Sequence, residues 1–554
     1  MNAAQRIRLI RIIEKIEKNP EFSNKLGVKN TFDFISDKQK KMLQGAVAPT
    51  IVATLIFFIT YFFFGMENTM IGPFATLSFL RCRNMCNHYE CLIRNFSVYM
   101  IMAVLSFLAV LNLPLCIIVN AIALFWIACL LIDEYNPNNY FPAGMALIFF
   151  QIAPVHTVSD LGNRLLALLA SFGIVFLFAW FLSLNTTVQN RLKALISDGF
   201  DVCKELLTQT GCITADSHSA QNETSEQVPE LHKKLCTINQ HISREIYSAN
   251  RATLRLKGKT NWYCRFVLVF QIINYLTDHA QEDNNQQTAR GIYEKFYAQF
   301  QEIEPATDYR RLNFRIRKPD IRNLRFRFAL RQVIVLTPCL VLAYLWQTNN
   351  IYWLVISVFF MMIPFTEYTM QRVRQRVFGT MAGIVLSFIL FTIFPDFTSR
   401  VVIMTAANFL IYAADGYGPT VAFITCSALA LQSIDSNIPV VLTQRLIYTL
   451  LGGGIALLSN RYIFPVRLQK QMQYLFELLR TLREQLAEIG IHTTPGDDSR
   501  RHQIDQLIIK SYLLSTRAED LQESLPEMQK YSDFEDARKQ HMEFLASYLA
   551  QYMT

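Results

Sequence analysis

No G-x-x-x-x-G-K-[ST] run occurs in either polar region of the 554 residues, and neither H-E-x-x-H nor G-x-S-x-G occurs at all. The first absence argues against ATP-driven work by this chain itself, the other two against zinc-dependent and serine hydrolase chemistry. The chain reads as a non-enzyme without a cofactor. A cleavable leader is missing too: Met1 to Lys41 is charged and has neither an apolar core nor an A-x-A-like site, so the N-terminus is expected in the cytosol. The eleven Cys are scattered, several inside apolar stretches where they act as small hydrophobes, and they imply no disulfide framework.

What the chain has in quantity is apolar sequence. Hydrophobic residues make up 52% of it, gathered in blocks whose length approaches the thickness of a lipid hydrocarbon layer. An all-α membrane protein follows. The net charge of +9 suggests nucleic acid at first sight, but Lys and Arg lie mainly at block edges and between the two halves, where anchoring to the cytosolic membrane face accounts for them. A nucleic-acid partner is not expected; the lipid bilayer is.

Blocks at 44–64, 68–80, 95–111, 115–132, 140–155 and 162–184 precede a long polar region, and blocks at 327–346, 350–364, 376–394, 399–414, 418–432 and 440–464 precede a second. Landmarks recur in register. Arg94 opens the third block and Arg376 the ninth, 282 residues on; Arg164 opens the sixth and Arg445 the twelfth, 281 on. Pro142 and Pro419 open the fifth block of each half, with Tyr140 and Tyr417 just ahead. The 4-3 stripe Leu192, Leu195, Val202, Leu206, interrupted at Gly199, is matched by Leu468 to Ile489. The expectation is two parallel six-helix repeats, each followed by a helical cytosolic domain: 1–43 an amphipathic N-terminal segment, 44–184 and 327–464 the membrane repeats, 185–326 and 465–554 the polar domains. Thr214 to Gln227 reads as a linker.

Arg81, Arg83 and Arg94 mark one connection and Arg372, Arg374 and Arg376 another, while 65–67, 112–114 and 347–350 carry no Lys or Arg. The positive-inside rule puts the rich connections, both polar regions and both termini in the cytosol. Several blocks are only some 15 residues long, short of the roughly 20 a straight span needs; broken, tilted or shielded helices are expected.

The connection "RCRNMCNHYECLIR" holds Cys82, Cys86, His88 and Cys91. Its C-x3-C-x-H-x2-C spacing fits no standard zinc finger and the second half repeats none of the ligands, so a plain basic loop is preferred over a metal site or a redox switch. In "QRVRQRVFGTMAGIVL", Gly379 and Gly383 form a G-x-x-x-G surface for close helix packing, and Thr380 is placed to hydrogen-bond across it.

With Tyr352-Trp353 upstream and the Arg-x-x-Gly-Thr-x-x-x-Gly run from Arg376 to Gly383, the chain resembles the fusaric acid resistance, or aromatic acid exporter, family of bacterial inner-membrane transporters. The resemblance implies export of aromatic or other hydrophobic organic acids, with a periplasmic adaptor as a possible partner. Plant malate channels share a distant likeness. The first half departs from the run, with Ser97 and Val98 where the second has Gly379 and Thr380.

An organic-anion exporter needs cations for the carboxylate, an apolar wall and, if protons drive it, a titratable group. The substrate-binding candidates are Arg164, Arg445, Arg94, Arg376, Thr380, Asn120 and Asn408, with helix-end anchoring and interhelical hydrogen bonding as the rival readings. Asp160 and Asp435 stand near Arg164 and Arg445. Asp415, Asp133, Glu134 and His156 are the proton-coupling candidates, against a reading as ordinary solvated loop groups. A passive anion channel and a membrane scaffold remain the alternatives to a proton-driven exporter, and the long stripes leave a homodimer open.

Overall fold

The structure, a computed structural model, describes residues 37–82, 88–132, 138–183, 188–210, 224–251, 255–278, 285–301, 309–310, 324–346, 350–432, 438–491 and scattered positions from 503 on. The expected N-terminal amphipathic helix and most of the expected linker lie outside them. Most of the described residues are helical, and the strands among them are a two-residue antiparallel pairing of β1 (Arg255–Leu256) with β2 (Tyr309–Arg310).

The first apolar series gives α1 (Asp37–Phe64), α2 (Ile71–Cys82), α3 (His88–Leu111), α4 (Leu113–Leu131), α5 (Phe141–Ile152) and α6 (Val158–Ser183). The first polar region gives α7 (Val188–Gln209), α8 (Thr224–Arg251), α9 (Lys257–Asp278) and α10 (Asn285–Gln301). The second series gives α11 (Leu324–Leu345), α12 (Tyr352–Met361), α13 (Thr366–Ile393), α14 (Phe397–Ala413), α15 (Tyr417–Gln432) and α16 (Ile438–Tyr462), followed by α17 (Leu468–Ile491).

Among the described residues, seven helices are long and apolar enough to cross a bilayer: Met42–Phe64, Cys91–Leu111, Leu113–Leu131, Val158–Phe181, Leu324–Leu345, Thr366–Ile393 and Pro439–Tyr462. The remaining apolar helices are shorter. With 12 residues in α5 and 10 in α12, they reach about 18 and 15 Å, roughly half the hydrocarbon thickness. Burial explains how they stand. Trp353 through Met361 are all buried, as are Pro142 through Ile148, so these helices meet protein, which is where a short or broken helix is tolerated at membrane depth.

The chain divides into two compact units, Leu55–Val377 with Thr443–Thr554, and Met1–Thr54 with Phe378–Leu442. In the larger unit α4 packs along α11, and α5 meets α12. Gly144 permits the second contact: a Cβ there would lie 2.7 Å from the Phe359 ring. The Tyr140 hydroxyl donates to the Met362 carbonyl at 3.1 Å, and the Phe141 ring packs against Phe359 and Phe360 at 5.2 and 4.8 Å.

Where α12 turns into α13, Arg331 of α11 ties the chain down. Fully buried, it donates to the carbonyls of Ile363, Pro364, Ile463 and Phe464 and to Asn460 Oδ1. Phe464 has φ 45°, a left-handed conformation unfavourable for a bulky residue, and its carbonyl is one of those held.

The polar regions were expected as two domains, but residues of both build one core. Phe200, Phe266, Phe270, Phe296 and Leu235 of the first share it with Leu486 and Ile504 of the second. The gap in the 4-3 stripe also has a reason: a Cβ at Gly199 would strike the Phe270 ring at 2.6 Å. The end of the second stripe, Leu486 and Ile489, thus lies on the same core as Leu192 and Leu195 of the first.

In the smaller unit α14 packs along α15. Gly379 and Gly383 bring α13 onto the α15 backbone: a Cβ at either would lie 2.5 Å from the carbonyl oxygen of Gly418 or Ala422. That is the close helix approach expected of the G-x-x-x-G run.

Candidate functional site

A cavity of about 550 Å³ opens in the larger unit where the end of α2, the start of α5, the α12–α13 elbow and the C-terminal polar region converge. Its wall carries three guanidinium groups, Arg81, Arg372 and Arg517, and five aromatic rings, Tyr140, Phe141, Phe360, Phe365 and Tyr368. None of the described lining residues is a carboxylate. Arg81 Nη2 donates to Asn139 Oδ1 at 3.1 Å, which orients that arginine, and Arg517 lies 5.6 Å from the centroid of Phe365. Glu367, two residues from Phe365, is engaged elsewhere: its carboxylate accepts from the Leu468 amide at 2.9 Å and from the Thr366 hydroxyl at 3.0 Å. Cations and rings together make a surface that can hold an anion with an apolar body.

Behind the cavity two more arginines flank α12. The Arg376 guanidinium stands 4.5 Å from the centroid of Phe360, whose ring also lines the cavity, and that of Arg445 lies 3.5 Å from the centroid of Trp353; both arginines are 1% exposed. Trp353 and Phe360 are seven residues apart, hence on one face and about 10 Å apart along the axis. Between them sits Ser357, fully buried, with no hydrogen-bond partner for its hydroxyl among the described residues. Gly452 leaves room there, since a Cβ on it would lie 2.7 Å from Ser357 Cβ. A row of cavity, Arg376, Ser357 and Arg445 thus follows one short helix.

Other expected residues fare differently. Arg164 is fully buried, but its guanidinium is spent on Asn68 Oδ1 and the Phe150 and Ala153 carbonyls, which fits a clamp on the C-terminal end of α5 better than a substrate contact. Asp160 is exposed and exchanges hydrogen bonds with Thr157 at the start of α6. Arg94 is exposed and not at a helix mouth, because α3 begins six residues earlier. Arg372, Arg374 and Arg376, read as a connection, lie inside α13, which begins at Thr366. Asn120 and Gln151 form a reciprocal amide pair at 3.0 and 2.7 Å, and Asn408 accepts from Ser427 at 2.9 Å, so both asparagines bond between helices. Thr380 is buried with no hydrogen-bond partner among the described residues, which corrects the expected bridge. Asp415 and His156 are exposed. Asp133, Glu134 and Asp435 lie outside the described residues.

The cysteine connection is also corrected. Cys82 at the end of α2 is disulfide-bonded to Cys91 in α3, with Cα atoms 6.0 Å apart, one residue beyond the cavity-lining Arg81. Cys86 and the His88 side chain lie outside the described residues, and among those described no group of three or more His, Cys, Asp or Glu is placed to hold a metal.

Three cavity features escaped the sequence reading: Arg517, more than 130 residues from the other walls; Arg372, read only as a charge marking orientation; and the ring cluster from Tyr140 to Tyr368, which a tyrosine ahead of each fifth block only hinted at.

Residues 338–459 match the family model described as fusaric acid resistance protein-like. An uncharacterised protein of Haemophilus influenzae is 29% identical over 143 residues, 25% of this chain and 20% of its own length. One from Synechocystis is 32% identical over 149 residues, 26% and 19% of the two chains. The inner membrane protein YccS of Escherichia coli is 26% identical over 142 residues, 25% and 20%. The chain thus spans about a fifth of the length of these curated relatives. No solved structure matches it. With its apolar helices, these matches make it a membrane protein with a fusaric acid resistance-like segment.

Proposed function

We propose that this chain, whose residues 338–459 belong to the fusaric acid resistance protein-like family, exports aromatic or other hydrophobic organic acids across a bacterial inner membrane. The observation that carries the reading is the cavity lined by three arginines and five rings. It supplies what such a substrate needs, guanidinium forks for the acid group and ring faces for the body. From there the anion passes Arg376 and Ser357, whose hydroxyl can donate to it, and reaches Arg445. Each buried arginine lowers the cost of carrying an anion through the low-dielectric interior, and each rests on a ring when the anion has moved on.

The reading takes the two apolar series as parallel repeats and both termini as cytosolic. The shared core of the polar regions supports it, since lobes packed into one core lie on one side of the membrane. The basic cavity wall then faces the cytosol, as the positive-inside rule requires. The name of the Escherichia coli relative supports the inner membrane.

Proton coupling rests on Asp133 and Glu134. The exposure of Asp415 and His156 favours a second reading, a passive organic-anion channel along the same path. A growth-inhibition screen of aromatic and aliphatic carboxylic acids, in cells with and without the chain, tests export; protection against at least one aromatic acid is expected, and protection against none contradicts it. Export that persists with an uncoupler and follows voltage supports the channel.

A further inference from the structure

The bridge between Cys82 and Cys91 joins the last residue of α2 to the fourth residue of α3, with Cα atoms 6.0 Å apart. One turn further in, the Ser78 and Tyr99 hydroxyls share a hydrogen bond of 2.8 Å that ties the same two helices together. The bridge therefore acts on the final turn of α2, and that turn carries Arg81, which lines the cavity and donates to Asn139. Each sulfur has an N–H donor beside it: Asn95 Nδ2 lies 3.6 Å from Cys82 Sγ, and Arg94 Nη2 lies 3.9 Å from Cys91 Sγ. Such donors stabilise a thiolate, the form in which a cysteine leaves or attacks a disulfide. In the cytosol, where the positive-inside reading puts this connection, a disulfide is transient, formed and broken by the surrounding thiol pool.

We infer that Cys82 and Cys91 form a reversible thiol–disulfide site, exchanged with a low-molecular-weight thiol of the glutathione class, whose closed form holds Arg81 in the cavity wall and whose open form releases it. Cys91 is 5% exposed and Cys82 fully buried, so the incoming thiolate attacks Cys91 Sγ. The bond between the two cysteines breaks, its electron pair leaves on Cys82 beside the Asn95 amide, and a proton follows. A second thiolate attacks the sulfur of the attached glutathione, which restores the Cys91 thiol and yields one molecule of oxidised glutathione. Oxidised glutathione closes the bridge by the same steps in reverse. With the bridge open, the final turn of α2 spends part of its time away from the wall, and the apparent affinity of the cavity falls by that fraction. The effect on binding rests on the organic-anion reading above, the exchange on the cytosolic placement of the connection.

The test uses the full chain in phosphatidylcholine nanodiscs, equilibrated at neutral pH with either reduced or oxidised glutathione. Mass spectrometry of alkylated peptides reads the bridge, deuterium uptake reads the end of α2, and calorimetry reads the binding of benzoate. The bridge is expected to open in reduced glutathione and close in oxidised. In the open form, deuterium uptake in the last turn of α2 is expected to be about tenfold faster and benzoate binding about fivefold weaker. The double variant Cys82→Ser with Cys91→Ser is expected to bind benzoate as the open form does, whichever glutathione is present, and that binding reports that it is folded. Cys86→Ser is expected to respond as the wild type does; loss of the response there assigns the exchange to another pair and overturns the inference. A bridge that does not follow the glutathione state, or deuterium uptake or benzoate affinity that is equal with the bridge open and closed, overturns the inference and leaves the export reading standing. A bridge and a deuterium uptake that respond while benzoate binds in neither state overturn the organic-anion reading and leave the thiol–disulfide site standing.

Discussion

The guanidinium of Arg445 lies 3.5 Å from the ring centroid of Trp353, with the arginine 1% and the tryptophan 7% exposed. A desolvated cation on an indole face is worth about 2 kcal/mol, and here it stabilises a charge that has little water. The residues are 92 apart in sequence, one on α12 and the other on α16. Arg445→Lys keeps the charge and loses the planar stack, so transport is expected to fall about tenfold with the protein still folded. Trp353→Leu is expected to do the same. Initial rates of efflux at matched protein amounts check both, and wild-type rates in either variant would remove this pair from the path.

The glycine contacts make a sharper stability prediction. Gly379→Ala and Gly383→Ala each put a methyl group 2.5 Å from a backbone carbonyl oxygen of α15, which cannot swing aside. A loss of about 2–3 kcal/mol is expected for each. Gly454→Ala is the control, with nothing within 4 Å of its Cβ position. Thermal unfolding of the detergent-solubilised protein should separate the first two from the third.

Asn120 and Gln151 satisfy each other, so their mutations should not add. Asn120→Leu leaves the Gln151 amide short of its partner and is expected to cost about 1–2 kcal/mol. The double change to leucine should cost less than the sum of the single changes, with a coupling of about 1 kcal/mol. A double-mutant cycle measures it, and additivity would contradict the pairing.

In the C-terminal polar region, burial and then the charge of Arg483 push His541 down from 6.5 to about 4. The folded state holds this ring neutral, while the unfolded chain protonates it once pH drops below 6.5. Its contribution to stability is therefore complete above pH 6.5 and is lost progressively as pH falls toward 4. His541→Phe is expected to flatten that part of the profile, seen as the difference between wild-type and variant unfolding midpoints across this range. Parallel profiles would show that His541 is not held neutral.

Much of the helical layout was legible because apolar blocks must become helices in lipid: the block read at 115–132 is α4, Leu113–Leu131, and that at 440–464 is α16, Ile438–Tyr462. The start of α13 was misplaced by ten residues because Arg372, Arg374 and Arg376 suggested solvent. Arg376 is instead buried over Phe360. Charge patterning reports the side of the membrane, not whether a given arginine has found a ring or a carbonyl to lie against. Arg331 was hidden for the same reason: in "RFRFALRQ" it reads as a flanking charge, while its partners at 363–364 and 460–464 lie far along the chain. The repeat drew attention to Arg164 and Arg445 together, but only long-range packing separates a guanidinium spent on backbone carbonyls from one laid on Trp353. The cysteine pair escaped because Cys82 and Cys91 meet only when α2 and α3 bring their ends together.

The most direct test of the account is uptake of a labelled aromatic carboxylate into inside-out membrane vesicles that carry the full chain, compared with vesicles carrying Arg445→Gln and vesicles lacking the chain. Accumulation with the wild-type chain and background levels in the other two is the predicted result. Equal uptake in all three, with the chain present and folded, would contradict it.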